Sequence, residues 1–186
     1  DSMSSQTRQL VTPTFNDTQS IFGGVKVKKG QFEWFVELLA RDKKGFSERR
    51  CGGVMISGDT LVTLATCLYD SQGRRAWPSS SKAWLKRDGS TKTEKGVERE
   101  WKFLEPHPQH VYPNPIDFNI ALIKLNRNPL FPQRDINDFN ADGQLPPVNV
   151  NVSVVGYGNG PGGFNTGTKY LRYANFTTTA ITQCRT

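Results

Sequence analysis

Apolar and polar residues alternate in several short runs along this chain, which is the pattern of half-buried β-strands. The clearest example lies between Cys51 and Cys67, where two runs rich in Val, Ile, Leu and Thr flank a Ser-Gly-Asp turn. Each run ends at or near a cysteine. The segment is therefore predicted to be a β-hairpin closed by a disulfide.

The same pattern predicts strands elsewhere, over residues 32–39, 97–104, 116–125, 148–158 and 170–178. In residues 97–104 the period of two predicts that Val97, Trp101 and Phe103 share one face. Residues 116–125 form the most apolar run, which suits a buried central strand. With 17 glycines and 11 prolines, the chain favours many short turns, as in an all-β sandwich or barrel.

Composition and charge narrow the class of protein. A chain of 186 residues, 35% of them hydrophobic and 22% charged, suits one soluble domain or a domain and part of another. No apolar run is long enough to predict a membrane span. The net charge of +7 leaves room for an anionic partner, but the basic pairs are scattered without interleaved aromatic residues, so nucleic acid is not expected. The first interpretation is that these charges form an ordinary solvated surface. The alternative is a surface patch that binds glycosaminoglycan, for which the candidate residues are Arg74, Arg75, Lys86 and Arg87.

The cysteines and three short motifs point to an extracellular protein. If Cys51 pairs with Cys67, Cys184 is left over, and its partner is expected on another chain or on sequence not shown. Three Asn-x-Ser/Thr sequons are candidates for glycosylation, and they begin at Asn16, Asn151 and Asn175. Together with a disulfide they predict that the protein is secreted.

Several collinear segments resemble the trypsin-like (chymotrypsin-fold) serine protease family. Cys-Gly-Gly-Val-Met-Ile at 51–56 and Thr-Leu-Ala-Thr-Cys at 63–67 are similar to the family's Cys-Gly-Gly-x-Leu-Ile and Thr-Ala-Ala-His-Cys. Ile-Phe-Gly-Gly-Val at 21–25 resembles Ile-Val-Gly-Gly, the start of the mature enzymes. Residues 119–125 resemble Asp-Ile-Ala-Leu-Ile-Lys-Leu, and residues 154–158 resemble Val-Thr-Gly-Trp-Gly.

The resemblance implies an all-β fold of two antiparallel β-barrels, the first complete and the second only partly present in this chain. We expect an extended N-terminal arm at 1–20, the first barrel and the inter-barrel connection at 21–140, and the N-terminal part of the second barrel at 141–186. The family's Gly-Asp-Ser-Gly-Gly segment does not occur in these 186 residues. A companion segment or chain that completes the second barrel is therefore expected.

The same alignment places Thr66 at the family's catalytic histidine and Asn119 at its aspartate. In the family's mechanism an imidazole accepts the serine proton and a carboxylate orients the imidazole. A threonine hydroxyl is not basic near pH 7, and in the type example of this mechanism the aspartate-to-asparagine change alone lowers kcat about 10⁴-fold. Asp117 would share a strand face with Asn119 but lies too far along the strand to substitute. His107 and His110, the only histidines, are expected to be structural.

These observations predict a secreted serine protease homologue that is not an enzyme and acts by binding a protein partner, as a regulator, cofactor or decoy. No cofactor and no metal site are expected. Two alternatives stay open: a polyanion-binding protein on a protease scaffold, and one chain of a two-chain protease-like protein.

Overall fold

A computed structural model describes residues 24–87, 96–113, 117–126, 147–157 and 170–179. Within these residues the regular structure is nine strands and two 3₁₀ turns, Ala65–Leu68 and Pro78–Ser80. The strands are β1 (Val25–Lys26), β2 (Phe35–Arg41), β3 (Glu48–Met55), β4 (Thr60–Thr63), β5 (Lys82–Leu85), β6 (Val97–Pro106), β7 (Ala121–Leu125), β8 (Asn151–Gly156) and β9 (Arg172–Thr177). The prediction of an all-β fold is confirmed.

Six of the strands close into an antiparallel barrel with the order β2-β3-β4-β7-β6-β5. Pairing of β5 with β2 completes the ring, so these strands leave no unpaired edge. The predicted hairpin is β3 and β4, and its predicted disulfide joins Cys51 to Cys67. Both predictions are confirmed.

The barrel interior is filled from alternate positions of each strand, as β7 shows. Its residues Ala121, Ile123 and Leu125 are buried, whereas Leu122 and Lys124 are exposed. The prediction of a buried central strand at 116–125 was therefore wrong in two respects: the strand starts at Ala121, and only one face is buried. A barrel strand has one face toward the core and one toward the outside, which produces this alternation.

Strand β6 corrects a second prediction. Trp101 is 1% exposed and lies in the core, but Phe103 is 52% exposed, so the two do not share a face. The pairing of β6 with β7 shifts register between Trp101 and Phe103, and Leu104 takes the next buried position. An irregularity of this kind inverts the in-and-out phase of every later residue, which a strict period of two cannot anticipate.

The other three strands form a separate sheet with the order β1-β9-β8. Strand β1 lies within the range predicted for the first barrel, but its partner is β9. An apolar cluster joins this sheet to the start of β2 and the segment before it: the ring centroids of Phe35 and Tyr157 lie 6.0 Å apart, and those of Phe32 and Tyr173 lie 5.3 Å apart. One closed barrel and a partial second sheet match the predicted double-barrel fold.

Three other predictions fall outside the described residues: the arm at 1–20, the sequon at Asn16 and the half-cystine at Cys184. None of the helical segments in the described part of the chain has the length and apolarity needed to cross a membrane.

Candidate functional site

The turn after β4 carries Thr66. Cys67 in the same turn is bonded to Cys51 of β3, and the turn residues Ala65 and Leu68 are buried, so the turn is fixed to the barrel. The backbone N–H of Thr66 donates a hydrogen bond of 2.9 Å to Oδ1 of Asn119. The first N–H groups of a helical turn have no acceptor within the turn, and the asparagine supplies one. Thr66 and Asn119, the two residues that the sequence resemblance predicts at the histidine and aspartate positions, are thus in direct contact.

Asn119 is positioned by the loop that precedes β7. The neighbouring Phe118 has a left-handed backbone with φ of 51°, and its carbonyl accepts a hydrogen bond from the N–H of Ile120. The carbonyl of Ile120 in turn accepts from the N–H of His107, at 2.9 Å. The imidazole of His107 stacks on Phe118 with ring centroids 4.9 Å apart. Backbone bonds and a stacked ring pair therefore hold the loop that presents Asn119.

Asp117 does not lie on a strand with Asn119. It is an exposed residue of the turn that precedes β7. Phe118, which lies between them, has a left-handed backbone, and this conformation is outside the β region that a strand requires. The expectation that Asp117 shares a strand face with Asn119 was wrong for this reason.

The two histidines have structural surroundings. Nδ1 of His107 accepts a hydrogen bond from the N–H of Gln109, at 3.2 Å. The ring of His110 lies 6.4 Å from that of Tyr69, which itself stacks on Tyr112 at 4.1 Å. Both ring nitrogens of His110 are buried without a hydrogen-bond partner among the residues that the structure describes. The contacts of both rings are thus with residues of their own loop and its aromatic neighbours.

The basic residues predicted to bind polyanions divide into two groups. Arg74 contacts two carboxylates, Oδ2 of Asp70 at 2.9 Å through Nε and Oδ2 of Asp42 at 2.8 Å through Nη2. Arg87 pairs with Glu37 at 2.9 Å. Glu37 and Asp42 are five positions apart along β2 and its end, which corresponds to roughly 17 Å of extended chain.

The neighbours Arg75 and Lys86 are both exposed. Nη2 of Arg75 approaches the carbonyl of Leu104 at 3.4 Å, and Lys86 follows β5 with a left-handed backbone. The structure therefore places the four candidates as two sequence-adjacent pairs, toward opposite ends of β2, rather than as one patch. Polyanion binding stays a prediction.

Sequence reasoning missed the structural importance of Asp70. This carboxylate is fully buried and accepts hydrogen bonds from the N–H groups of Gln72 and Arg74 and from the guanidinium of Arg74. Burial acts to raise its pKa, but the hydrogen bonds and charge of Arg74 and the Gln72 N–H outweigh it, so the pKa of Asp70 is lowered. An aspartate before the Ser-Gln-Gly stretch was an available signal, since Asp bonds the N–H two residues on in such turns.

The remaining candidates from the sequence are the glycosylation asparagines of the two sequons that the structure describes. Asn151 begins β8 and Asn175 lies on β9, and both are exposed. They lie on the second sheet, apart from the barrel that carries Thr66 and Asn119.

The all-β fold, with one closed barrel and a partial second sheet, agrees with one comparison. A family model described as Trypsin matches residues 21–186. The match covers most of the chain and includes all the described residues. The chain therefore belongs to the trypsin family.

Proposed function

We propose that this chain is a secreted, non-catalytic member of the trypsin family that acts by binding a protein partner, as a regulator, cofactor or decoy. The sequence resemblance aligns Thr66 and Asn119 with the family's catalytic histidine and aspartate. One observation supports the proposal: these two residues contact each other through a backbone N–H and a side-chain oxygen.

The chemistry of these groups argues against acid–base catalysis at this position. Peptide hydrolysis by this family needs a base that accepts a proton from the nucleophile near neutral pH and returns it to the leaving amine. A hydroxyl and a neutral carboxamide do neither. The Asn119 oxygen also accepts a hydrogen bond from the turn backbone, which is a structural use of that side chain.

The preserved scaffold supports recognition as the remaining role. The closed barrel and the Cys51–Cys67 disulfide maintain a rigid body whose loops present side chains to a partner. The disulfide and the sequons at Asn151 and Asn175 support secretion, because disulfides persist in oxidising compartments and sequons are used in the secretory pathway.

Catalysis is tested by incubating purified protein with a broad peptide-substrate library and with a fluorophosphonate probe for activated serines. An active trypsin-like protease serves as the positive control. We expect neither turnover nor labelling. Turnover that disappears in the Thr66→Val variant would overturn the proposal, since it would assign catalysis to this site rather than to a contaminant.

A further inference from the structure

Two sequons that are distant in the sequence lie side by side in the second sheet. Strands β8 and β9 pair in antiparallel register, with Asn151 opposite Thr177 and Ser153 opposite Asn175. Residues two apart on a strand point to the same face, so all four side chains share one face of the strand pair. They are the first and third residues of Asn-Val-Ser at 151–153 and of Asn-Phe-Thr at 175–177.

The hydrogen bonds between these side chains are reciprocal. Oγ of Ser153 donates to Oδ1 of Asn175 at 2.7 Å, and Oγ1 of Thr177 donates to Oδ1 of Asn151 at 3.2 Å. The hydroxyl of each sequon thus binds the asparagine of the other. Both bonds use the amide oxygen and not Nδ2, which is the atom that carries the sugar in an N-linked glycan.

This face is open to solvent where the four side chains lie. All four residues are exposed. The next pair on the same face, Val155 opposite Tyr173, packs into the apolar cluster near Phe35. Asn151 is four residues from Val155, roughly 13 Å along the strand. The apolar contact therefore covers one end of the face and leaves the sequon end uncovered by that cluster.

We propose that Asn151 and Asn175 form a paired glycosylation site, at which both asparagines of one molecule carry N-linked glycans on the same face of β8 and β9. The inference rests on the secretion half of the proposed function. Diagonal neighbours across such a strand pair lie about 7–8 Å apart, so the two sugars begin next to each other. The pair would then screen this face of the sheet from protein partners.

The modification is compatible with the observed bonds. Nδ2 of each asparagine bonds to the anomeric carbon of the first sugar of a lipid-linked pyrophosphate oligosaccharide. The bond from that carbon to the pyrophosphate oxygen breaks, the pyrophosphate leaves with the electron pair, and Nδ2 loses one proton. Oδ1 keeps its acceptor lone pairs, so both cross-strand hydrogen bonds can persist in the glycosylated protein.

The test is site occupancy in a chain that also carries Asn16→Gln, which removes the third sequon. The chain is secreted from eukaryotic cells behind a signal peptide, and its intact mass is measured before and after peptide N-glycosidase treatment in ¹⁸O water. We expect a species with two glycans, and labelled aspartate at both 151 and 175. Ser153→Ala is expected to remove only the glycan at Asn151, and Thr177→Ala only the one at Asn175.

Two matched variants separate the sequon from the fold. Ser153→Thr keeps the hydroxyl and is expected to keep both glycans. Thr178→Ala removes a neighbouring hydroxyl that bonds the carbonyl of Pro147 at 2.6 Å and belongs to no sequon, so it is expected to keep both as well. Cell-free translation with microsomes reads the same occupancy for any variant that fails to be secreted.

Absence of glycan at either asparagine, or molecules that carry only one of the two, would overturn the inference. Its failure is distinct from failure of the proposed function, since the glycan count is read by mass and catalysis by turnover. An unglycosylated but inactive protein would contradict only the inference, whereas an active protein with both glycans would contradict only the absence of catalysis.

Discussion

The backbone N–H of Thr66 and Oδ1 of Asn119 are 2.9 Å apart across 53 residues of sequence. Thr66 follows β4 and Asn119 precedes β7, and these two strands pair with Thr63 opposite Ala121. The contact therefore ties together the two chain segments that leave the barrel at this end. The Asn119 side chain acts as a cap on the turn that carries Thr66.

Asn119→Ala is expected to lower the free energy of unfolding by about 1 kcal/mol, within the range of lost helix caps, because it leaves the Thr66 N–H without its acceptor. Asn119→Asp, which retains an oxygen at the same place, is expected to stay closer to the parent protein. Urea unfolding of the three proteins measures the difference. Equal stability of the alanine and parent proteins would show that the cap contributes nothing.

Asp70→Asn is expected to destabilise the protein at pH 7 by about 1.5–3 kcal/mol, since a buried charged acceptor is lost. The pKa of Asp70 is lowered on folding, so its ionised form stabilises the protein above the ordinary pKa of about 4, and this contribution is lost as the pH falls through the folded value. The gap in Tm between variant and parent should therefore be large at pH 7 and shrink below pH 4.

Asp59→Asn is the control for that experiment. The Thr60 hydroxyl bonds the Asp59 carboxylate and, with Lys124, lowers its pKa despite some opposing desolvation. Its side chain is 33% exposed, and exposed ion pairs contribute less than about 1 kcal/mol. A Tm gap for Asp59→Asn as large as that for Asp70→Asn would contradict burial as the cause.

Glu37→Ala is expected to cost about 3 kcal/mol, because the Glu37 carboxylate bridges Arg50 and Arg87 and the Arg87 side chain is only 10% exposed. Removal of the carboxylate takes an ion-pair partner away from that largely buried arginine. Arg50→Ala removes the more exposed partner, 55% exposed, and is expected to cost less than about 1 kcal/mol. Chemical denaturation measures both, and the reverse order of cost would refute this assignment.

Trp101→Ala is expected to cost about 3–5 kcal/mol, as large-to-small changes in a core do. Phe103→Ala, two residues along the same strand, is expected to change stability by no more than about 0.5 kcal/mol, because its side chain is mostly in solvent. The comparison tests the register shift directly. Similar large costs would indicate that both aromatic rings point into the barrel, as uninterrupted alternation predicts.

Much of the fold was predictable because its signals are local. The hairpin at β3 and β4 and its disulfide follow from two runs of β-forming residues and a turn within 17 consecutive residues. The positions of Thr66 and Asn119 follow from short motifs that align in order. Each of these inferences needs only residues that are neighbours in the chain.

The errors arose where a neighbouring strand or loop changes a local pattern. The period of two in residues 97–104 is interrupted by the pairing of β6 with β7, which places Phe103 outside. The apolar run at 116–125 contains a left-handed residue, Phe118, in the turn before β7, and the strand starts only at Ala121. Neither a register shift nor a positive φ at phenylalanine has a reliable signature in single-residue preferences.

The amino-acid sequence was sufficient for the strand-forming segments and the family, since these depend on contiguous residues and their spacing. Only the tertiary structure decided that Asn119 caps the Thr66 turn, that β1 pairs with β9, and that two sequons 24 residues apart bond to each other. Contacts of this kind depend on strand register and barrel closure, which bring residues together through the summed packing of the whole core. No local pattern contains that information.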